Sequence, residues 1–417
     1  MLRRKIFKRL LIGVWSLLLA LAVLFAAGDT FGAGDPIAQI ARPHLYSVAR
    51  WEVGNFLKKW THQFREQFPG ADTEAEALAR VRRYFELTAE INPLRFRVDQ
   101  ATRGFTQEPE LPRLRQQLDE LIDDREALEA RIEETLEAMI TSVLKEAGVE
   151  SKFLWHRLLW PPVDFRIDIV PKTLVISRRD RIELLETKLI EPEITLEERG
   201  ALEDTIDSRN LSSLVSSLAG LATYPSMLPD HFDLRNSLRF AAHEWTHHYL
   251  FFHPLGRAYY RSGDLTSLNE TAADLVGDEI GAAVYRRFFA TTEEIEAERA
   301  PAPATSEDPD RFDFRVEMAT TRVEADRLLA EGKIEQAEAY MEERRLFMAE
   351  NRFFFRKLNQ AFFAFNGTYA GRPGAISPIG GQIQEIRNRS ANLGEFLSSV
   401  AGFSSYEDLK ESYGFED

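Results

Sequence analysis

The chain of 417 residues contains no cysteine and only eight histidines. The first absence removes disulfides, thiolate metal ligands and cysteine nucleophiles. A chain of this length buries a sizeable core without covalent staples, so export is not excluded. Positive charge is also short. The formal net charge is −15, and the first nine residues hold five bases and no acid, which puts the remainder at −20. An exterior that acidic lacks the basic stripes of a nucleic-acid partner. It reads mainly as a solvated surface.

Long hydrophobic runs are confined to one end. Arg3, Arg4, Lys5, Lys8 and Arg9 precede an uncharged, mostly apolar run from Leu10 to Ala27. At about 1.5 Å per residue such a run just crosses a bilayer. It exceeds the roughly 7–15 residues of a usual signal-peptide core. An uncleaved single-pass anchor within residues 1–34 is therefore expected, with Ala26-Ala27-Gly28 as a weak cleavage site for the alternative, a signal segment. Either way the basic flank stays inside and the rest faces the extracytoplasmic side, periplasmic or extracellular. No later stretch is long and uncharged enough to span again.

Among so few histidines, one pair has a metal-binding spacing. His243-Glu244-Trp245-Thr246-His247 reads HExxH. On a helix, residues four apart project from one face. Two imidazoles there suit two of the protein ligands of Zn²⁺. Glu244 is the general base that this spacing supplies. The run Leu234 to Phe252 lacks Pro and Gly, and its apolar residues recur at helical spacing. Asp233 is the expected N-cap, and Pro254 with Gly256 ends the segment. His248 faces elsewhere and reads as an ordinary residue.

A catalytic zinc takes three protein ligands. Ser267 to Glu279 reads as a second helix, with Glu270 as the third ligand and Asp274 one turn on, placed to hydrogen-bond a ligand histidine. Ala273, Gly277 and Gly281 are small and four apart, which favours close approach of the two helices. Ser267 to Glu270 also matches S-x-x-E, a capping box in which the glutamate needs no metal. In that case Asp274, Asp278 and Glu279 are the rival ligands.

HEWTH followed by NETAAD resembles the gluzincin metallopeptidases, the thermolysin and aminopeptidase type of zincin. The resemblance covers roughly residues 220–284. It implies Zn²⁺ on His243, His247 and Glu270, Glu244 as base and proton shuttle, and Asp274 orienting a ligand histidine. The interval between His247 and Glu270 is slightly longer than in the best-known members. There is no Gly-x-Met-Glu-Asn signature of aminopeptidases, so exopeptidase and endopeptidase stay open. The likeness is to membrane-associated bacterial zinc peptidases, and the implied partner is a peptide or protein substrate. A scaffold with a structural or degenerate zinc site and a non-peptide metallohydrolase are the rival readings.

The expected fold class is α+β and mostly helical. It comprises a zincin-like catalytic domain with a small sheet, N- and C-terminal helical regions and one N-terminal transmembrane helix. Residues 35–155 form the helical region, with Ala71 to Ile91 and Leu111 to Ala147 as its clearest helices. The second has regular leucines and many Glu/Arg pairs, which fits a coiled-coil hairpin or a long packed helix. Residues 156–417 form the metallopeptidase domain, including a C-terminal helical part at 312–417. Phe165 to Ser177 alternates like strands; Arg178 to Arg199 is charged and reads as helix. Gly220 to Tyr224 reads either as an edge strand that adds a substrate peptide or as a plain loop. Glu293 to Asp310 reads as an exposed linker. Phe312 to Leu329 and Ile334 to Phe365 read as a helical pair. The resemblance to gluzincins implies a Tyr or His beyond the ligand helix that donates to a developing oxyanion; Tyr369, in a Gly-rich loop, is the candidate, with Tyr285, His231 and His253 as competitors. Arg372 is a candidate for a substrate carboxylate.

Overall fold

The computed structural model describes residues 35–52, 73–102, 108–153, 156–299, 312–367 and 377–415. The N-terminal apolar segment, Tyr369 and Arg372 lie outside them. Among the described residues no helix is long and apolar enough to cross a membrane.

The described chain is mostly helical with small sheets, an α+β architecture. A short helix α1 (Pro36–Ala41) leads to two long ones, α2 (Glu74–Thr102) and α3 (Leu111–Glu146), which pack along each other. Leu87, Ile91, Leu94, Leu114 and Leu118 close their distal contact. Gly148 follows α3 at φ +83°, the left-handed backbone that ends a helix most readily with glycine. The C-terminal half of α3 is a packed helix. Ile132, Leu136, Ile140 and Leu144 share one core with the HExxH helix and the helix after it.

A hairpin, β1 (Ser151–Phe153) and β2 (His156–Leu158), precedes β3 (Phe165–Asp168), β4 (Lys172–Arg178) and β5 (Leu184–Ile190). Helix α4 (Leu196–Asp207), β6 (Leu211–Ser217) and β7 (Ser226–Pro229) follow. Strands β5-β4-β6 form an antiparallel sheet, and β3 pairs in parallel with β7. Residues 184–190 correct the helical reading of Arg178 to Arg199. Pairing of Leu184–Ile190 along β4 outweighs its charge pattern, and helix begins only at Leu196, behind a capping box from Thr195 and Glu198. The β4 interior is buried on both faces. Leu174 and Ile176 pack with α1 and α4, while Val175 packs with Ala361.

Strand β3 has two differently satisfied edges. One pairs with β7. On the other, the backbone N–H groups of Phe165 and Ile167 donate to Glu137 (2.9 Å) and Glu133 (2.8 Å) of α3. These buried glutamates close an edge that a further strand would otherwise occupy.

Strand β7 delivers the chain into α5 (Leu234–Phe251), capped by Asp233, whose carboxylate accepts from Asn236 N at 2.8 Å. A single turn α6 (Pro254–Arg257) leads to α7 (Gly263–Phe288), capped by Ser262. Thr292–Arg299 forms α8. Helices α9 (Phe314–Ala330) and α10 (Ile334–Glu350) make the expected pair, but α10 stops well before Phe365. Arg352 has positive φ, and Phe353 and Phe355 stack on Phe314. The chain resumes as α11 (Gln360–Asn366), α12 (Ile379–Arg389), α13 (Leu393–Ala401) and α14 (Tyr406–Tyr413). The last three cover the core around α5 and α7.

Candidate metal centre

Helices α5 and α7 lie unusually close because α7 presents glycines to α5. A β-carbon at Gly277 would sit 2.8 Å from the Arg239 carbonyl oxygen and 3.2 Å from His243 Cβ. One at Gly281 would sit 2.8 Å from Arg239 Cα. Real β-carbons do not pack that tightly, so glycine sets the helix separation. Arg239 then ties the helices by pairing with Asp274 (3.3 Å) and Asp278.

At this separation the expected ligands meet. His243 Nε2 and His247 Nε2 are 3.0 Å apart, and each is 3.6 Å from Glu270 Oε2. Among the described residues this is the group of three or more His, Cys, Asp or Glu side chains that could hold a metal ion. For a triangle of these sides the equidistant point lies about 2.0 Å from each corner, which matches Zn–N and Zn–O bond lengths.

The donor set itself calls for a cation. His247 Nδ1 lies 2.8 Å from Asn269 Oδ1, so that nitrogen carries the hydrogen and Nε2 keeps a lone pair. His243 Nδ1 lies 3.1 Å from Asp274 Oδ1, and a carboxylate this close favours a hydrogen on Nδ1, which leaves Nε2 for the centre. The Tyr259 hydroxyl donates to Glu270 Oε1. Glu270 Oε2 is left buried with no hydrogen-bond donor. With both imidazoles neutral these three atoms are all acceptors, and a cation among them, a metal ion or a proton, removes the cost of burying them together.

Electrostatics agree. Burial lowers the proton affinity of His243, but Asp274 and Glu270 outweigh it and raise its pKa to about 10. Burial alone would raise Glu270, yet the two imidazoles hold its carboxyl well below the ordinary range. Burial raises Glu244, opposed by His243 and His247. Without a metal, a proton on imidazole serves as the cation that these carboxylates demand.

The structure settles the capping-box alternative. The N-cap of α7 is Ser262, so Ser267 lies inside the helix and Glu270 caps nothing. Asp278 pairs with Arg239 and Glu279 with Arg387 (2.7 Å), and neither belongs to the cluster of His243, His247 and Glu270. Asp274 stands beside His243, where the sequence places it. Tyr285 donates to Glu294 (3.0 Å) under the Arg235 guanidinium, His253 stacks on Tyr249, and His231 is an exposed neighbour of Asp230. These three side chains are engaged away from the cluster.

Three participants escaped the sequence reading. Asn269 and Tyr259 each fix one ligand, and Gly220 lies against Glu244. The Asn-Glu pair is a legible signal for Asn269; nothing in the sequence points to Tyr259. Residues 220–224 form a loop and not a strand. Leu221 alone bridges to Met227, through hydrogen bonds of 3.0 and 2.9 Å. His248 is not idle: its Nε2 lies 2.6 Å from the Thr223 carbonyl oxygen of that loop.

The chain matches no protein-family model, no curated protein and no solved structure.

Proposed function

We propose that this protein is a gluzincin-type zinc peptidase, held at the membrane by its N-terminal segment with the catalytic part on the extracytoplasmic side. One observation supports the reading: the Nε2 atoms of His243 and His247 and the buried Oε2 of Glu270 converge within 3.6 Å of one another, and His243 is followed directly by a buried glutamate. Two imidazoles and one carboxylate are a borderline-soft set that suits zinc. When bound, the ion supplies Lewis acidity that polarises a carbonyl and makes water a nucleophile near neutral pH.

The chain's own groups do the rest. Asn269 and Asp274 hold the imidazole tautomers, so that both Nε2 lone pairs face inward. Tyr259 occupies Glu270 Oε1 and leaves Oε2 for the centre. Glu244 takes the proton from water as its oxygen bonds to the scissile carbonyl carbon. It passes that proton to the amide nitrogen as the C–N bond breaks, so the products are a carboxylic acid and an amine. A carboxyl whose pKa is raised by burial suits a group that must hold a proton between two steps.

The test is zinc analysis of the full-length protein, then digestion of a peptide library with and without chelator. Chelator-sensitive cleavage is expected. Glu244→Gln should retain zinc and lose turnover by roughly 10³-fold or more. Stoichiometric zinc with no peptide cleaved would defeat the reading in favour of a structural site or a non-peptide hydrolase.

A further inference from the structure

We infer that Gly220 is a positioning residue for Glu244, and that the loop carrying it is fixed by His248. The inference rests on the reading of Glu244 as the base. Gly220 is not in the left-handed region, so backbone conformation does not demand glycine there. Space does. A β-carbon at 220 would overlap Glu244 Oε1 and lie 2.9 Å from Cδ and 3.1 Å from Cγ. Bare backbone is therefore the wall against which the carboxylate rests.

A wall must itself stay still. The bridge from Leu221 to Met227 pins one side of the loop to β7. The Thr223 hydroxyl donates to the Pro225 carbonyl (2.7 Å). His248 Nε2 donates to the Thr223 carbonyl oxygen (2.6 Å) from the turn of α5 that carries His247. The helix that supplies the base thus also holds the loop that positions it. This explains a third histidine beside HExxH without making it a ligand.

The overlap falls on the far end of a flexible side chain, so a methyl group at 220 displaces the carboxylate and leaves the fold intact. Displacement of a general base by about 1 Å costs on the order of 100-fold in rate. The experiment is a double-mutant cycle in the full-length, zinc-loaded protein. Gly220→Ala should retain zinc, keep KM within about threefold and lose kcat by roughly 100-fold. Against Glu244→Asp, whose shorter side chain leaves room for the methyl, the same substitution should cost less than about threefold. A crystal structure of Gly220→Ala should show the Glu244 carboxylate moved off its wild-type position. Wild-type kcat in Gly220→Ala, or an equal loss on both backgrounds, overturns the inference. If the wild-type protein cleaves no peptide, the peptidase reading fails. The position of Glu244 in the Gly220→Ala crystal then decides the contact on its own: displaced supports it, unmoved overturns it.

Discussion

Asn269 Oδ1 stands 2.8 Å from Nδ1 of His247, and the next residue along the chain, Glu270, completes the group of three that could hold a metal ion. One turn of α7 thus gives one candidate ligand and a partner for another. Removing the amide in Asn269→Ala frees the His247 ring to rotate and change tautomer. Zinc affinity should fall about 10–100-fold, the usual effect of losing such a partner. Competition with a chromophoric chelator measures it; an unchanged Kd contradicts the assigned role.

Tyr259 offers a second check. Its hydroxyl is the donor to Glu270 Oε1, and Tyr259→Phe leaves that buried oxygen without one. The carboxylate can then turn, and Oε2 is no longer held toward the two imidazoles. We expect zinc binding to weaken about 10–100-fold, the usual effect of losing a hydrogen bond that orients a ligand. Calorimetric titration of the metal-free variant reads this directly.

Metal affinity should depend on pH. With its pKa raised to about 10, His243 holds a proton at neutral pH that zinc must displace. Affinity should therefore rise with pH, about tenfold per unit for each proton displaced. The same shift has a stability consequence in the metal-free protein. A raised imidazole pKa contributes stability below the ordinary value of 6.5, and that contribution is lost as pH climbs toward about 10. The Tm of the metal-free form should fall across that window, while the zinc-loaded form, whose imidazoles carry no such proton, should not follow it.

Gly277 tests the geometry beneath the site. Gly277→Val drives a branched side chain into the Arg239 carbonyl and His243 Cβ. Overpacking of this kind costs roughly 1–3 kcal/mol. Because the strain separates α5 from α7, zinc affinity should fall along with the denaturation midpoint. A variant that loses stability but keeps wild-type zinc affinity would show that the helices can part without moving the ligands.

Much of the candidate site is legible in the sequence. Helical spacing fixes His243 and His247 on one face, and the small residues at 273, 277 and 281 announce a close helix partner. Periodicity puts Asp274 on the face of Glu270, and the structure sets it beside His243. The limits are equally physical. The capping-box motif at Ser267 cannot be distinguished from mid-helix sequence by local pattern, and only the actual start at Ser262 removes it. Leu184–Ile190 looks helical by charge, yet β4 offers it an edge.

The sequence by itself determined the chemistry: which residue types can bind a metal and carry a proton, at what helical spacing, with no cysteine to compete. Those are properties of side chains and of one helix's period. The tertiary structure decided what lies against them. Tyr259 and Gly220, and the buried glutamates of α3 that close the edge of β3, owe their roles to contacts between distant segments. Packing distance, unlike spacing along a helix, is not written in any local pattern. It emerges only when the glycine face of α7 lets α5 come close and the loop before β7 folds back over Glu244.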